Sequence, residues 1–209
     1  MLRKYLQRFP FIAITRGMTP EFALSCAGVV ADAGFTVIET PLNSPDALIS
    51  IERMAAKFPD LLIGAGTVTT TEQVHAVKAA GGRIIVSPHC DTKIIAETKA
   101  LGLVSVPGVA TPTEAFRALQ AGADALKLFP AEMIGPAIVK AMLAVLPPTT
   151  MVIPVGGIDA ENWLNYHAVG ASAFGLGSSL YTPKMTVDEI KANAAKIAAS
   201  WNKNGDSTL

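Results

Sequence analysis

The strongest constraint on the fold is a strand-sized pattern that recurs eight times along 209 residues. Short runs of apolar and β-branched residues begin 20 to 26 positions apart, which is the length of one strand, one helix and two short loops. The runs do not alternate strictly, as is typical of parallel strands buried on both faces. The eight predicted strands are Phe11–Thr15, Thr36–Thr40, Leu61–Thr67, Arg83–Pro88, Leu103–Gly108, Ala125–Pro130, Met151–Gly157 and Ala173–Leu180.

The segments between these runs have helical periodicity, with start and stop signals. Cap-like openings at Thr19-Pro20-Glu21, Thr71-Glu72 and Thr111–Glu114 predict three helix starts. Five glycines stand where a helix should end in the left-handed conformation before the next strand: Gly34, Gly81, Gly102, Gly122 and Gly170.

Eight such units predict an α/β fold, a single-domain (β/α)8 TIM barrel over residues 1–201, followed by a polar, frayed tail at 202–209. A doubly wound open sheet is the competing fold. It is disfavoured because no Gly-x-Gly-x-x-Gly motif follows the first strand.

Composition argues against several classes of partner. Lysine plus arginine and aspartate plus glutamate both number 17, so no basic excess indicates nucleic acid or a membrane surface. No apolar run approaches the roughly 20 residues of a membrane span, and no long hydrophobic stretch follows the charged N-terminus. Cys26 and Cys90 have no metal-ligand spacing. We therefore expect a cytoplasmic protein with no metal.

Two isolated charges indicate the chemistry. Lys127 lies in the apolar run Ala125–Pro130, and Glu39 lies in Thr36–Thr40. Burial lowers the pKa of a lysine, and a neutral amine attacks a carbonyl to form a Schiff base. The alternative is an edge strand on which Lys127 faces water.

The loops after the strands of such a barrel build the active site. Arg16, Glu39 and Lys127 are the charges near the carboxyl ends of predicted strands, so we expect them to meet. Gly156-Gly157 and Gly177-Ser178 follow strands seven and eight, where barrels commonly bind phosphate; the alternative is tight turns without a ligand. His89 and Glu132 also follow strands, and their roles stay open.

Several motifs occur together in one order: Ile12–Gly17, Glu39–Pro45, Gly64–Val68, Lys127–Pro130, Val155–Gly157 and Gly177-Ser178. In this combination the chain resembles, from end to end, the class I 2-keto-3-deoxy-6-phospho-sugar-acid aldolases, the KDPG/KHG aldolase family. The resemblance implies a homotrimeric barrel that needs no cofactor and cleaves a phosphorylated 2-keto-3-deoxy acid to pyruvate and glyceraldehyde 3-phosphate.

The same resemblance assigns roles to individual residues. Lys127 would form the Schiff base, and Glu39 would be the general acid and base. Arg16 and Thr67 would bind the carboxylate end of the substrate, with the carbonyl of Pro88 nearby. The 6-phosphate would lie on Gly156, Gly157, Gly177 and Ser178.

Two positions favour the galactonate branch of the family, and hence galactonate breakdown. Asn43 stands where gluconate-specific members commonly have arginine, and Val155 stands where they tend to have threonine. A hydroxyl exchanged for a methyl group changes which C4 orientation finds a partner. The run Phe129–Glu132 is instead more like the gluconate branch.

Other functions stay open from the sequence. The nearest are the same chemistry on the gluconate epimer or on 4-hydroxy-2-oxoglutarate, which has no phosphate. More distant are a sugar-phosphate isomerase or epimerase and a barrel that only binds sugar phosphates, neither of which needs an imine-forming lysine.

Overall fold

The computed structural model describes residues 1–204 of the chain. Within this range the helices are α1 Leu2–Leu6, α2 Ala23–Asp32, α3 Ala47–Lys57, α4 Thr71–Ala79, α5 Thr92–Ala100, α6 Pro112–Gln120, α7 Pro136–Leu143, α8 Trp163–His167 and α9 Val187–Asn204. The strands are β1 Phe11–Ile14, β2 Val37–Pro41, β3 Leu62–Gly66, β4 Ile84–Val86, β5 Val104–Val106, β6 Gly108–Val109, β7 Leu126–Leu128, β8 Val152–Pro154 and β9 Phe174–Leu176.

The strands form two parallel sheets, one in the order β5-β4-β3-β2-β1-β9 and one in the order β6-β7-β8. A parallel bridge between Val155 and Gly175 links β8 to β9. At the other edge, the N–H of Asp124 donates to the carbonyl of Ser105 over 2.9 Å. The α/β class is confirmed, and each predicted strand overlaps an observed one, although β2 ends one residue later than predicted, at Pro41.

The structure shows these strands as two sheets rather than as one continuous eight-stranded sheet. The predicted fifth strand is divided into β5 and β6 at Pro107. Proline has no N–H to donate to a strand ladder, so the hydrogen-bond pattern is interrupted there.

The predicted helix ends are confirmed at the five glycines, all of which have positive φ between 75° and 105°. Thr111 caps α6 in a capping box with Glu114. The other two starts are displaced: Thr70 rather than Thr71 caps α4, and α2 begins at Ala23, after a turn at Thr19.

The buried apolar side chains form two clusters, one on the inner face of the curled sheets and one on the outer face. The outer cluster lies between strands and helices and contains Phe11, Trp163 and Phe174 in mutual ring contact. The inner cluster joins side chains from the strands to Leu2 and Leu6 of α1. Sequence reasoning did not predict α1, which closes the amino end of the strands.

Arg83 lies at that same amino end, as its position at the start of a strand predicts. Its guanidinium donates to the hydroxyl of Tyr5 in α1 over 3.3 Å and to the carbonyl of Pro59 over 2.8 Å. The first bond joins Arg83 to α1 and the second joins it to the loop between α3 and β3, so Arg83 has a structural role.

The last helix, α9, continues through residues 202–204, which were predicted to belong to the tail. The remainder of that tail, residues 205–209, lies outside the described residues, so its fraying stays a prediction. Within residues 1–204, none of the helices is both long enough and apolar enough to cross a membrane.

Candidate active site

Strand alternation directs Glu39 and Lys127 to the inside of the curled sheets. In β2, Ile38 belongs to the outer cluster, and in β7 so do Leu126 and Leu128. Because neighbouring side chains of a strand point to opposite faces, the two charged side chains project inward. Only 2% of Glu39 and 5% of Lys127 is exposed. The edge-strand alternative for Lys127 is wrong, since β7 has a strand on either side.

The two groups perturb each other as well as being desolvated. Burial raises the pKa of Glu39 to about 7, although the positive charges of Lys127 and Arg16 pull it down. Burial lowers the pKa of Lys127; Glu39 opposes this shift, and Arg16 adds to it. Among residues 1–204, Oε2 of Glu39 has no hydrogen-bond partner. The site therefore contains a carboxyl group able to exchange a proton near neutral pH beside an amine that is easier than usual to deprotonate.

Gly66 makes room for the Glu39 carboxyl group. A Cβ built on Gly66 would lie 2.6 Å from Oε1 of Glu39 and closer still to Oε2. Any side chain at this position would push the carboxyl group aside. Sequence reasoning missed this role, although a glycine inside a strand is a known signal of close approach by another group.

The surroundings of Lys127 hold its amine at the carboxyl end of β7. Its main-chain N–H donates to the carbonyl of Pro107 over 2.9 Å. Its Nζ lies 4.5 Å from the centre of the Phe129 ring. Since 38% of Phe129 is exposed, this ring borders the way into the site.

Arg16 follows β1 and is held at the rim of the site by Asn43. Its Nη1 donates to Oδ1 of Asn43 over 2.7 Å. The next residue, Gly17, donates its N–H to Oγ of Ser44 over 2.8 Å, so the loops after β1 and β2 are joined twice. Arg16 also lines a pocket of about 270 Å³ together with Ile14, Gly177, Ser178, Tyr181, Thr182 and Pro183.

Thr67 and Pro88 follow β3 and β4, which are neighbours in the larger sheet. Thr67 has φ 56°, a strained backbone conformation for a β-branched residue, and such strain often marks a binding site. The carbonyl oxygen of Pro88 lies so close to Gly108 that a side chain there would collide with it. Both residues are half-buried on the rim, where the sequence places them.

The glycines predicted to bind phosphate differ in their surroundings. Gly156 and Gly157 have φ values of 110° and 65° and lie against the Glu132 side chain. Gly177 faces open space, because a Cβ there would meet nothing within 4 Å. Val155, just before the first pair, is buried and contacts Gly175.

Other polar candidates contribute less to the site. His89 follows β4 and is exposed. In the part of the chain that the structure describes, no group of three or more histidine, cysteine, aspartate or glutamate side chains is arranged to hold a metal ion.

A buried lysine amine with a lowered pKa, near a buried carboxyl group at the carboxyl ends of parallel strands, is suited to form an imine with a carbonyl compound. The chain belongs to the aldolase family described as KDPG and KHG aldolase, which it matches over residues 2–199. The predicted family is thereby confirmed.

Two relatives are similar over nearly their whole length. The chain is 45% identical over 194 residues to a probable 2-dehydro-3-deoxy-6-phosphogalactonate aldolase of Rhizobium meliloti (strain 1021), covering 92% of each protein. It is 43% identical over 197 residues to the 2-dehydro-3-deoxy-6-phosphogalactonate aldolase of Escherichia coli (strain K12), covering 94% of this chain and 96% of the relative.

Solved structures agree with this assignment. A structure described as native KDPGal is 42% identical, with a TM-score of 0.93 over 95% of this chain and 97% of that one. A designed cage of fused symmetric oligomeric domains has the same identity and TM-score, covering 95% of this chain and 74% of that one. The KDPG aldolase of Legionella pneumophila, holding pyruvate as a covalent carbinolamine, is 31% identical, with a TM-score of 0.80 over 93% of both chains.

Proposed function

We propose that this class I aldolase cleaves 2-dehydro-3-deoxy-6-phosphogalactonate to pyruvate and D-glyceraldehyde 3-phosphate in galactonate catabolism. The observation that carries the chemistry is the buried Lys127–Glu39 pair, in which each group shifts the pKa of the other. The names of the relatives from Rhizobium meliloti and Escherichia coli support the choice of substrate.

In the proposed reaction the Lys127 amine attacks the C2 ketone, and loss of water gives a protonated imine. Glu39, as the carboxylate, takes the proton of the C4 hydroxyl. The C3–C4 bond then breaks, its electron pair moves to the imine nitrogen as an enamine forms, and glyceraldehyde 3-phosphate leaves. Protonation of the enamine at C3 and hydrolysis of the imine release pyruvate and restore Lys127.

The rim residues bind the two ends of the substrate. The Arg16 guanidinium and the strained Thr67 hold the carboxylate, close to the carbonyl of Pro88. The 6-phosphate lies over Gly156, Gly157, Gly177 and Ser178. Arg16 lines the same pocket as Gly177 and Ser178, and its positive charge supports an anion site there.

Two residues set the preference for the C4 epimer. Val155 is 8% exposed and offers methyl groups where a threonine would offer a hydroxyl. Asn43 acts through the position of Arg16, whose guanidinium donates a hydrogen bond to it.

The proposal also includes a closed barrel and a homotrimer. The two sheets belong to one closed (β/α)8 barrel in a single domain that extends through α9. The bridge at Val155 and the bond between Asp124 and Ser105 support closure at both edges. The protein acts as a cytoplasmic homotrimer, and the similarity to a cage built from symmetric oligomeric domains supports an oligomer.

A second candidate is the same reaction on the gluconate epimer, which the run Phe129–Glu132 favours. Pyruvate release from the two C4 epimers, measured side by side with purified protein, decides between them. We expect a strong preference for the galactonate epimer; a preference for the gluconate epimer would overturn the roles of Val155 and Asn43.

The same assay tests the chemistry. Lys127→Ala should release no pyruvate from either epimer, whereas Lys140→Ala, which removes an exposed lysine of α7, should match the wild type. Wild-type turnover by Lys127→Ala would overturn the mechanism.

A further inference from the structure

The carboxylate of Glu132 lies directly on the Gly156-Gly157 turn. A Cβ on Gly156 would collide with Oε2 of Glu132, and a Cβ on Gly157 would lie 2.8 Å from its Cγ. Both glycines have positive φ, and backbone turns with left-handed residues form concavities that bind anions. The negatively charged side chain that lies against this turn is Glu132, which contacts the two glycines without a hydrogen bond to them.

The loop that carries Glu132 is fixed to this turn by Ala131. The N–H of Ala131 donates to the carbonyl of Val155 over 2.9 Å, and its carbonyl accepts from the hydroxyl of Tyr166 over 3.0 Å. The main chain at Glu132 is therefore held beside the turn, while its side chain is exposed. Burial raises the pKa of Tyr166, and the negative charge of Glu132 adds to the shift, which places the carboxylate near this hydroxyl.

In the described part of the chain, no cation is paired with the Glu132 carboxylate. Within residues 1–204 it has no ion pair and no hydrogen bond. The arginine of the rim, Arg16, donates to Asn43 instead. A carboxylate with no counter-charge is easily displaced, but it repels a phosphate that approaches the same place.

We propose that Glu132 sets the affinity of the site for the 6-phosphate: its carboxylate occupies the Gly156-Gly157 turn in the free enzyme and rotates into solvent when a phosphorylated substrate binds. This inference rests on the proposed function, because it concerns the phosphate end of the same site. Repulsion between Glu132 and the phosphate weakens binding of the substrate and speeds release of glyceraldehyde 3-phosphate.

The test compares Glu132→Gln and Glu132→Ala with the wild type. Glu52→Gln is the matched control, because it removes the same charge from an exposed position of α3 next to Pro59 and Arg83, at the amino end of the strands. Binding of inorganic phosphate is measured by calorimetry. KM and kcat are measured for the 6-phosphorylated substrate and for its unphosphorylated counterpart.

Loss of the Glu132 charge should tighten phosphate binding and lower KM for the phosphorylated substrate by about fivefold, the size of like-charge repulsion at a water-accessible site. KM for the unphosphorylated substrate should not change, and neither should any value for Glu52→Gln. Unchanged or weaker phosphate binding, or an equal effect on both substrates, would overturn the proposal, as would a wild type that binds no phosphate.

Calorimetry needs no turnover, so the two claims can fail separately. Tighter phosphate binding by Glu132→Gln in a protein that cleaves neither epimer would contradict the proposed function and keep the anion site. Cleavage by a wild type whose phosphate affinity is unaffected by Glu132→Gln would contradict only the role of Glu132.

Discussion

The rate of cleavage should follow the ionisation of Glu39. As the base for the C4 hydroxyl, Glu39 must be a carboxylate, and burial raises its pKa to about 7. From that value about 90% of Glu39 is ionised at about pH 8 and about 1% at about pH 5. The initial rate of pyruvate release at subsaturating substrate should therefore fall nearly a hundredfold over this interval, with a slope approaching one decade per pH unit.

The control for this prediction is Glu39→Gln, which cannot titrate at this position. Its rate should be lower by roughly 10²–10⁴-fold at about pH 8, because it lacks the proton transfer. Its residual rate should also no longer fall between about pH 8 and pH 5. A wild-type profile that is flat down to about pH 5, or a Glu39→Gln profile with the same fall, would refute the reasoning.

The raised pKa of Glu39 also makes the folded protein less stable as the pH rises. The pKa of Glu39 is higher in the folded protein, about 7, than its ordinary value of 4.5, so the folded state binds the proton more tightly. Glu39 therefore costs no stability below about pH 4.5, and its cost is complete above about pH 7. A shift of this size corresponds to about 3 kcal/mol.

Chemical unfolding measures this cost. The two proteins compared are Lys127→Met and the double variant Lys127→Met/Glu39→Gln. Removing Lys127 from both eliminates the titration of the lysine and raises the pKa of Glu39 further. Between about pH 4 and pH 8, the free energy of unfolding of the double variant should rise by at least about 3 kcal/mol relative to that of Lys127→Met. A constant difference between the two proteins would contradict the shift.

Three further changes test the surroundings of this pair. Gly66→Ala, whose Cβ would collide with the Glu39 carboxyl group, should cost roughly 1–3 kcal/mol of stability and at least about tenfold in cleavage rate. Gly28→Ala, on α2, should keep the wild-type rate, because its Cβ would make only an ordinary van der Waals contact with Phe58, at 3.9 Å. Val155→Thr should raise the rate with the gluconate epimer relative to the galactonate epimer, and an unchanged ratio would remove Val155 from epimer selection. Thr67→Gly should relieve about 1 kcal/mol of backbone strain while raising KM, and a lower KM would exclude Thr67 from binding.

The repeated strands were predictable because local pattern determines them. Each apolar run lies in a fold where both faces of the strand are buried, and five of the helices within residues 1–204 end at a glycine in the left-handed conformation. The helix α1 was not predictable in this way, because its five residues carry no cap or stop signal. The contact of Leu2 and Leu6 with the inner cluster, rather than a local preference, positions it.

The residues of the candidate site that could be predicted are the charged ones in otherwise apolar strands. Lys127 and Glu39 are charges within apolar strands, so their burial is visible in the sequence. The role of Gly66 was not predicted and that of Glu132 was left open, because their importance comes from contacts between distant segments. Glycine at position 66 has a physical reason only once the carboxyl group of Glu39 is known to lie over it.

Trapping the imine tests the central claim most directly. The purified protein is incubated with pyruvate and borohydride, and the site of the reduced adduct is mapped by mass spectrometry of peptides. We predict one adduct, on Lys127, and none in a folded Lys127→Ala variant. An adduct on another lysine, or no adduct in a wild type that releases pyruvate from its substrate, would contradict Schiff-base catalysis by Lys127.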